Sequence, residues 1–285
     1  MVKKLGNKGF TLIEMSIVLV IIGLIVGGVL VGRDLIIAAS ARSQITQIEK
    51  YNQAVNVFRG KYNMLPGDID ATTAAAFGFA ARGTLQGQGD GNGVIEGYWS
   101  GNNDNGVYEY SGETLMFWVD LSKVGLISGN FNTASASVDP GANITGTFIA
   151  NYLPTANIGR GNYVYVWSGG INGGNGINYF GISAITQLGR GLPDSGATIS
   201  VRQAYNIDNK IDDGLPQSGN VVAQYLNHLV NTTFPAWVGA SDNSATPGSS
   251  TTCYDNNNTS LGVQQYSLNY NNATGSNCAL SFKFQ

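Results

Sequence analysis

Cysteine and histidine are almost missing from this chain: Cys253, Cys278 and His228 are all it has among 285 residues. Two thiols cannot complete a four-ligand zinc site, and one imidazole adds little. Charge is scarce as well, at 12% of residues with a net of −3, about half the usual share. There is no basic field to meet nucleic acid and no acidic tail to mark disorder. The nucleophile elbow G-x-S-x-G, the P-loop and the dinucleotide fingerprint are absent. No spacing singles out a pair of carboxylates for hydrolysis. The expectation is a protein without catalytic activity and without a bound organic cofactor.

Glycine is plentiful, at 39 residues, and Asn, Ser and Thr crowd the second half. Such a composition suits an antiparallel, turn-rich body. The 14 Tyr, 11 Phe and 4 Trp supply area for a real core. From Phe10 to Val31 the residues are apolar throughout, apart from a few small or polar ones and one carboxylate, Glu14. About 22 helical residues span roughly 33 Å, enough for the hydrocarbon core of a bilayer.

Three readings compete for this segment. A secretory signal cut at Ala39-Ser40-Ala41 would have an apolar run twice the usual length, with Arg33 and Asp34 between run and site. A plain anchor fits the length, and Lys3, Lys4 and Lys8 would keep its start cytoplasmic and send the body outward. That reading leaves Glu14 unused unless it snorkels to the headgroups. The third reading cuts the Gly9–Phe10 bond. Phe10 then gains a cationic amine one helical turn before Glu14. A carboxylate in apolar surroundings needs a cation, and a neighbouring copy's amine supplies one. Such a contact, repeated head to tail without closing, builds a filament. With the body outside the cytosol, a Cys253–Cys278 disulfide is expected; closing that loop would contribute roughly 3 kcal/mol in the chain-entropy picture.

The stretch KGFTLIEMSIVLVIIGLI, with Lys8, Gly9, Phe10, Thr11, Leu12, Ile13 and Glu14 in register, resembles the class III signal of type IV pilins and type II secretion pseudopilins. The resemblance implies cleavage after Gly9 by a membrane prepilin peptidase, N-methylation of Phe10, and a role for Glu14 in assembly. The partners it implies are that peptidase and other pilin or pseudopilin subunits. The implied location is the bacterial inner membrane, single-pass with a cytoplasmic N-terminus and a periplasmic head, followed by a pilus or pseudopilus filament. Many pilins carry a proline midway along this helix. Here Gly23, Gly27, Gly28 and Gly32 stand instead, either loosening the helix or allowing close packing. YNMLPGDID, ETLMFWVDLSKVGLISGNF and IDNKIDDGLPQSGNV are similar, less specifically, to segments of large pilin-like proteins.

The expected organisation is a leader (1–9), a transmembrane and assembly helix (10–32), an amphipathic continuation (33–60) and a globular head (61–285). In the continuation Ile45, Ile48, Tyr51, Val55 and Phe58 mark the face to be buried, and Gln44, Gln47, Glu49, Gln53, Asn56 and Arg59 the opposite side. Gly60 and Leu65-Pro66-Gly67 stop the helix. The spacing predicts further helices over 113–124, capped by Gly125, and over 197–214. Strands are predicted over 162–167 and 178–185, joined by a glycine-rich hairpin loop, and at the alternating CALSFKFQ end. The fold class is α+β: a lollipop with a long helix packed on an antiparallel head whose C-terminal region a disulfide closes.

In GQGDGNGVIEGYW, the residues Asp90, Asn92 and Glu96, with Asp104 beyond, offer oxygens on a bendable backbone, which suits calcium. The EF-hand spacing is not met, and a solvated turn is the alternative. Asp212-Asp213-Gly214 reads as a helix ending in a turn. Two other functions stay in view: a surface-binding protein whose Asn- and Tyr-rich loops meet glycans, and a tethered periplasmic enzyme.

Overall fold

A computed structural model of the chain describes residues 10–98, 111–137, 144–169, 175–188, 194–225, 253–255, 263–269 and 273–284. The leader with Gly9, the segment holding Asp104, and His228 lie outside the described residues. Helix α1 runs unbroken from Leu12 to Tyr62. It ends where Asn63 turns left-handed (φ 58°) and its N–H returns to the Arg59 carbonyl, three residues past the expected stop at Gly60. Gly23, Gly27, Gly28 and Gly32 stay helical with open space where a Cβ would sit, so the helix is not loosened there.

From Ala41 onward α1 buries one face, and Ile45, Ile48, Tyr51, Val55 and Phe58 form it as the pattern predicts. Two assignments to the opposite side are overturned: Gln44 and Gln47 are buried too. They are buried because they pair with backbone. Gln44 Oε1 accepts the Ile158 N–H at 2.9 Å. Gln47 Oε1 accepts the Asn157 N–H at 2.8 Å, and its amide donates to the Thr155 carbonyl at 2.8 Å. An amide buried without such partners would cost free energy; here it fastens α1 to the 155–158 segment.

The head's main sheet is antiparallel. Its hub is β3 (Asn178–Leu188), which pairs with β2 (Tyr163–Ser168) on one side and β8 (Cys278–Lys283) on the other. From Ala184 onward the short strands β1 (Ile144–Thr145) and β4 (Asp194–Gly196) take over as its partners. β5 (Val221–Tyr225) pairs with the far side of β8. Cys278 through Phe282 are all buried, on both faces of the strand rather than one, so both faces of the sheet are covered at β8. Tyr165 lies opposite Gly181, and its ring occupies the space a side chain at 181 would need. Glycine there lets the ring lie across the neighbouring strand.

α3 (Glu113–Lys123) is buried from Glu113 to Leu121. It ends in a Schellman motif, with the Leu126 N–H bonded to the Leu121 carbonyl and the Gly125 N–H to that of Ser122. Tyr51 of α1, Phe117 and Trp118 of α3, and Phe180 of β3 meet ring to ring at centroid separations of 5.0–6.4 Å. This aromatic cluster joins helix, helix and sheet. α2 (Ala71–Phe77) is a short turn capped by Asp70. α4 (Val201–Ile211) is shorter than the 197–214 pattern, beginning at a capping box made by Ser200 and Gln203. β6 (Tyr254–Asp255) and β7 (Gln265–Tyr266) form a small separate ribbon. The Cys253–Cys278 disulfide ties it to the start of β8, with the Cα atoms 5.2 Å apart.

Candidate functional site: the exposed half of the long helix

Among the described residues, none covers the first half of α1. From Phe10 to Ile36 its large apolar side chains are exposed, Leu12 to 89% and Ile36 to 71%. Among the described residues this is the helix long and apolar enough to cross a membrane. An apolar surface of this extent needs lipid or other helices around it.

Its first turn is built by T-L-I-E. Thr11 is the N-cap; its hydroxyl accepts the Glu14 N–H at 3.3 Å. Glu14 answers with Oε2, which accepts the Thr11 N–H and O–H, both at 2.8 Å. This capping box was present in the sequence as Thr-x-x-Glu, although the carboxylate drew notice for its charge. The donors it meets are neutral, so the box satisfies hydrogen bonding without cancelling the charge. Phe10 stands just before the cap, exposed. Its amide nitrogen is therefore one turn from the carboxylate, as the spacing predicts.

The loop that suggested calcium folds over the start of α3. Asp90, Asn92 and Glu96 do converge: the Asn92 amide donates to Asp90 Oδ2 at 2.9 Å and to Glu96 Oε2 at 3.2 Å. The Gln86 amide spans both Glu96 oxygens at 2.9 Å. Amide donors thus fill the space between these carboxylates. Asp90 also sits with Asp68 and Glu113, one oxygen of each lying within 4.8 Å of the others. Sequence reading missed these two partners, which are 22 and 23 residues away. Their chemistry suits a hard cation, but backbone N–H groups already face both. Asp68 accepts from Gly91 at 2.8 Å, Asn92 at 3.2 Å and Gly93 at 2.7 Å. Glu113 accepts from Gly89 and Glu96, each at 2.8 Å. From the other side Asn178 accepts the Ile95 N–H and donates to the Gly93 carbonyl. The two carboxyls act as a clasp that gathers the loop.

Burial pushes the Asp68 carboxyl up to about 7 against the pull of the Gly93 and Gly91 N–H groups, with Asp90 adding to the rise. Burial and the neighbouring Asp68 drive Glu113 well above its ordinary value. Asp120, two turns along α3, is raised by burial but held by Arg82, with which it forms a fully buried ion pair at 2.6 Å. Asp212 and Asp213 form the turn after α4, as read: Asp213 accepts from the Leu215 N–H and the Ser218 hydroxyl, and Asp212 from the Val221 N–H.

A head borne on a helix whose first half is exposed among the described residues is suited to membrane anchoring or to assembly through that helix. Residues 4–30 match the family described as the prokaryotic N-terminal methylation motif. The chain is prepilin-like: it carries the class III signal of the type IV pilin and pseudopilin family on an apolar N-terminal helix. Searches of curated proteins and of solved structures returned no match.

Proposed function

We propose that this chain is a structural subunit, a minor pilin or pseudopilin, of a type IV pilus or type II secretion pseudopilus. It is made as an inner-membrane precursor with its head outside the cytoplasm. Prepilin peptidase hydrolyses the Gly9–Phe10 bond, which releases the leader with its three lysines and leaves a free amine on Phe10. The observation that carries this reading is the apolar half of α1, exposed among the described residues and bearing Glu14 one turn from the cleavage point inside a methylation motif. The Glu14 capping bonds come from neutral groups of its own chain; the cation that balances the charge is the Phe10 amine of the next subunit. Packing of apolar helix against apolar helix then replaces lipid. A head of some 220 residues is large for a densely repeated unit, which favours a low copy number.

N-terminal mass spectrometry of the native protein tests the proposal. A methylated chain starting at Phe10 is expected; an intact Met1, or a start at Arg42, overturns it.

A further inference from the structure

Where α1 leaves the apolar run, its flank meets the underside of the head across a cavity of about 330 Å³. Arg33 of α1, Arg160 of the 159–161 turn and Arg202 of α4 line it, with Asp34 as the opposing charge and Leu30 and Ile37 as its apolar wall. Among the described residues three guanidinium groups and one carboxylate line it. If the hydrocarbon core begins at Leu12, about 20 helical residues bring its far edge to Leu30–Gly32. Arg33 then lies at headgroup level, and Leu30 at the end of the acyl chains. The head brings Arg160 and Arg202 to that same level. Arg160 is held there through a bond from Nη1 to the Thr198 carbonyl at 3.3 Å, and Arg202 sits in the first turn of α4, whose N-terminal end adds partial positive charge.

We propose that this cavity binds the phosphodiester headgroup of an anionic phospholipid from the outer face of the membrane while the protein is a membrane-anchored precursor. Guanidinium is suited to it because its planar fork matches two phosphate oxygens. Leu30 and Ile37 continue the apolar path taken by the lipid's tails. This rests on the anchored orientation proposed above. It adds that the head is seated on the leaflet by a specific lipid, which the subunit must give up when it is drawn into a filament.

The test uses the full chain in phosphatidylcholine nanodiscs containing increasing phosphatidylglycerol, with retained lipid counted by native mass spectrometry. The wild type should keep one phosphatidylglycerol per chain after bulk lipid is stripped. The Arg160→Asn/Arg202→Gln double variant changes two exposed residues and should hold it about twenty-five-fold less well, at roughly a fivefold loss per arginine. Equal retention by the double variant overturns the inference, as does wild type that stays in the disc and keeps no phosphatidylglycerol. Displacement of the lipid by millimolar inorganic phosphate would mark a free-anion site and overturn it too. A chain that does not remain in the disc at all refutes the anchored reading, and the lipid site with it.

Discussion

The clasp of Asp68 and Glu113 makes the head's stability fall as pH rises. Asp68 has an ordinary carboxyl value of 3.8 when unfolded and about 7 when folded. Between those values the folded chain holds a proton that the unfolded chain releases. The stabilisation is complete below about pH 4 and disappears as pH climbs through 7. Moving from pH 8 to pH 5 recovers the two units between 7 and 5. At about 1.36 kcal/mol each, this amounts to about 2.7 kcal/mol from Asp68. For a head of this size that is a rise in melting temperature of roughly 5–10 °C. Glu113, raised in the same direction by burial, adds to it. Asp70 and Asp213, whose carboxyls are lowered by hydrogen bonds from Thr73 and Ser218, are ionised in both states at pH 5 and do not interfere. The assay is thermal unfolding of the detergent-solubilised full chain at pH 8 and pH 5, followed by the fluorescence of buried Trp118 and Trp167, for wild type and Asp68→Asn. The variant keeps one acceptor oxygen and cannot titrate, so the difference between the two proteins reads Asp68 together with its coupling to Glu113, while Asp208, which burial raises to about 6, contributes to both. A wild-type melting point that is flat, or higher at pH 8, would refute the reasoning.

Glu14→Ala removes the charge and the capping box together. It should insert into membranes at least as well as wild type, since an acid near the apolar span costs a few kcal/mol, yet be depleted from sheared filaments; normal incorporation counts against charge pairing. Gly181→Ala places a methyl group in the Tyr165 ring and should cost about 1–3 kcal/mol in chemical unfolding. Shrinking the ring with Tyr165→Leu in the same chain should return part of that loss, and an additive double variant would show the collision to be unimportant.

The long helix and its uncovered half were legible because their information is local. An apolar run, a three-and-four-residue stripe and a cleavage motif need no knowledge of distant residues. The same holds for the Schellman end of α3, where Gly125 and Leu126 stand next to the turn they close. Legibility failed where polar residues acted through tertiary partners. Gln44 and Gln47 read as solvent-facing by composition, and it is the backbone of 155–158, over a hundred residues on, that meets both of them. Asp90 was read with its neighbours Asn92 and Glu96, whereas Asp68 and Glu113, which share its corner, come from two other segments. The C-terminal strand was recognised by its alternation. Its burial on both faces was not, because alternation tells which residues share a face and says nothing of how many faces are covered.

The glutamines of α1 carry a mechanical consequence. Amide-to-backbone bonds at Gln47 and Gln44, one and two turns ahead of the Tyr51–Trp118 ring contact, fasten the continuous helix where the bare rod enters the body. Traction applied to the rod is therefore shared among these bonds and the aromatic contact, which carry it from the helix to the sheet through Phe180.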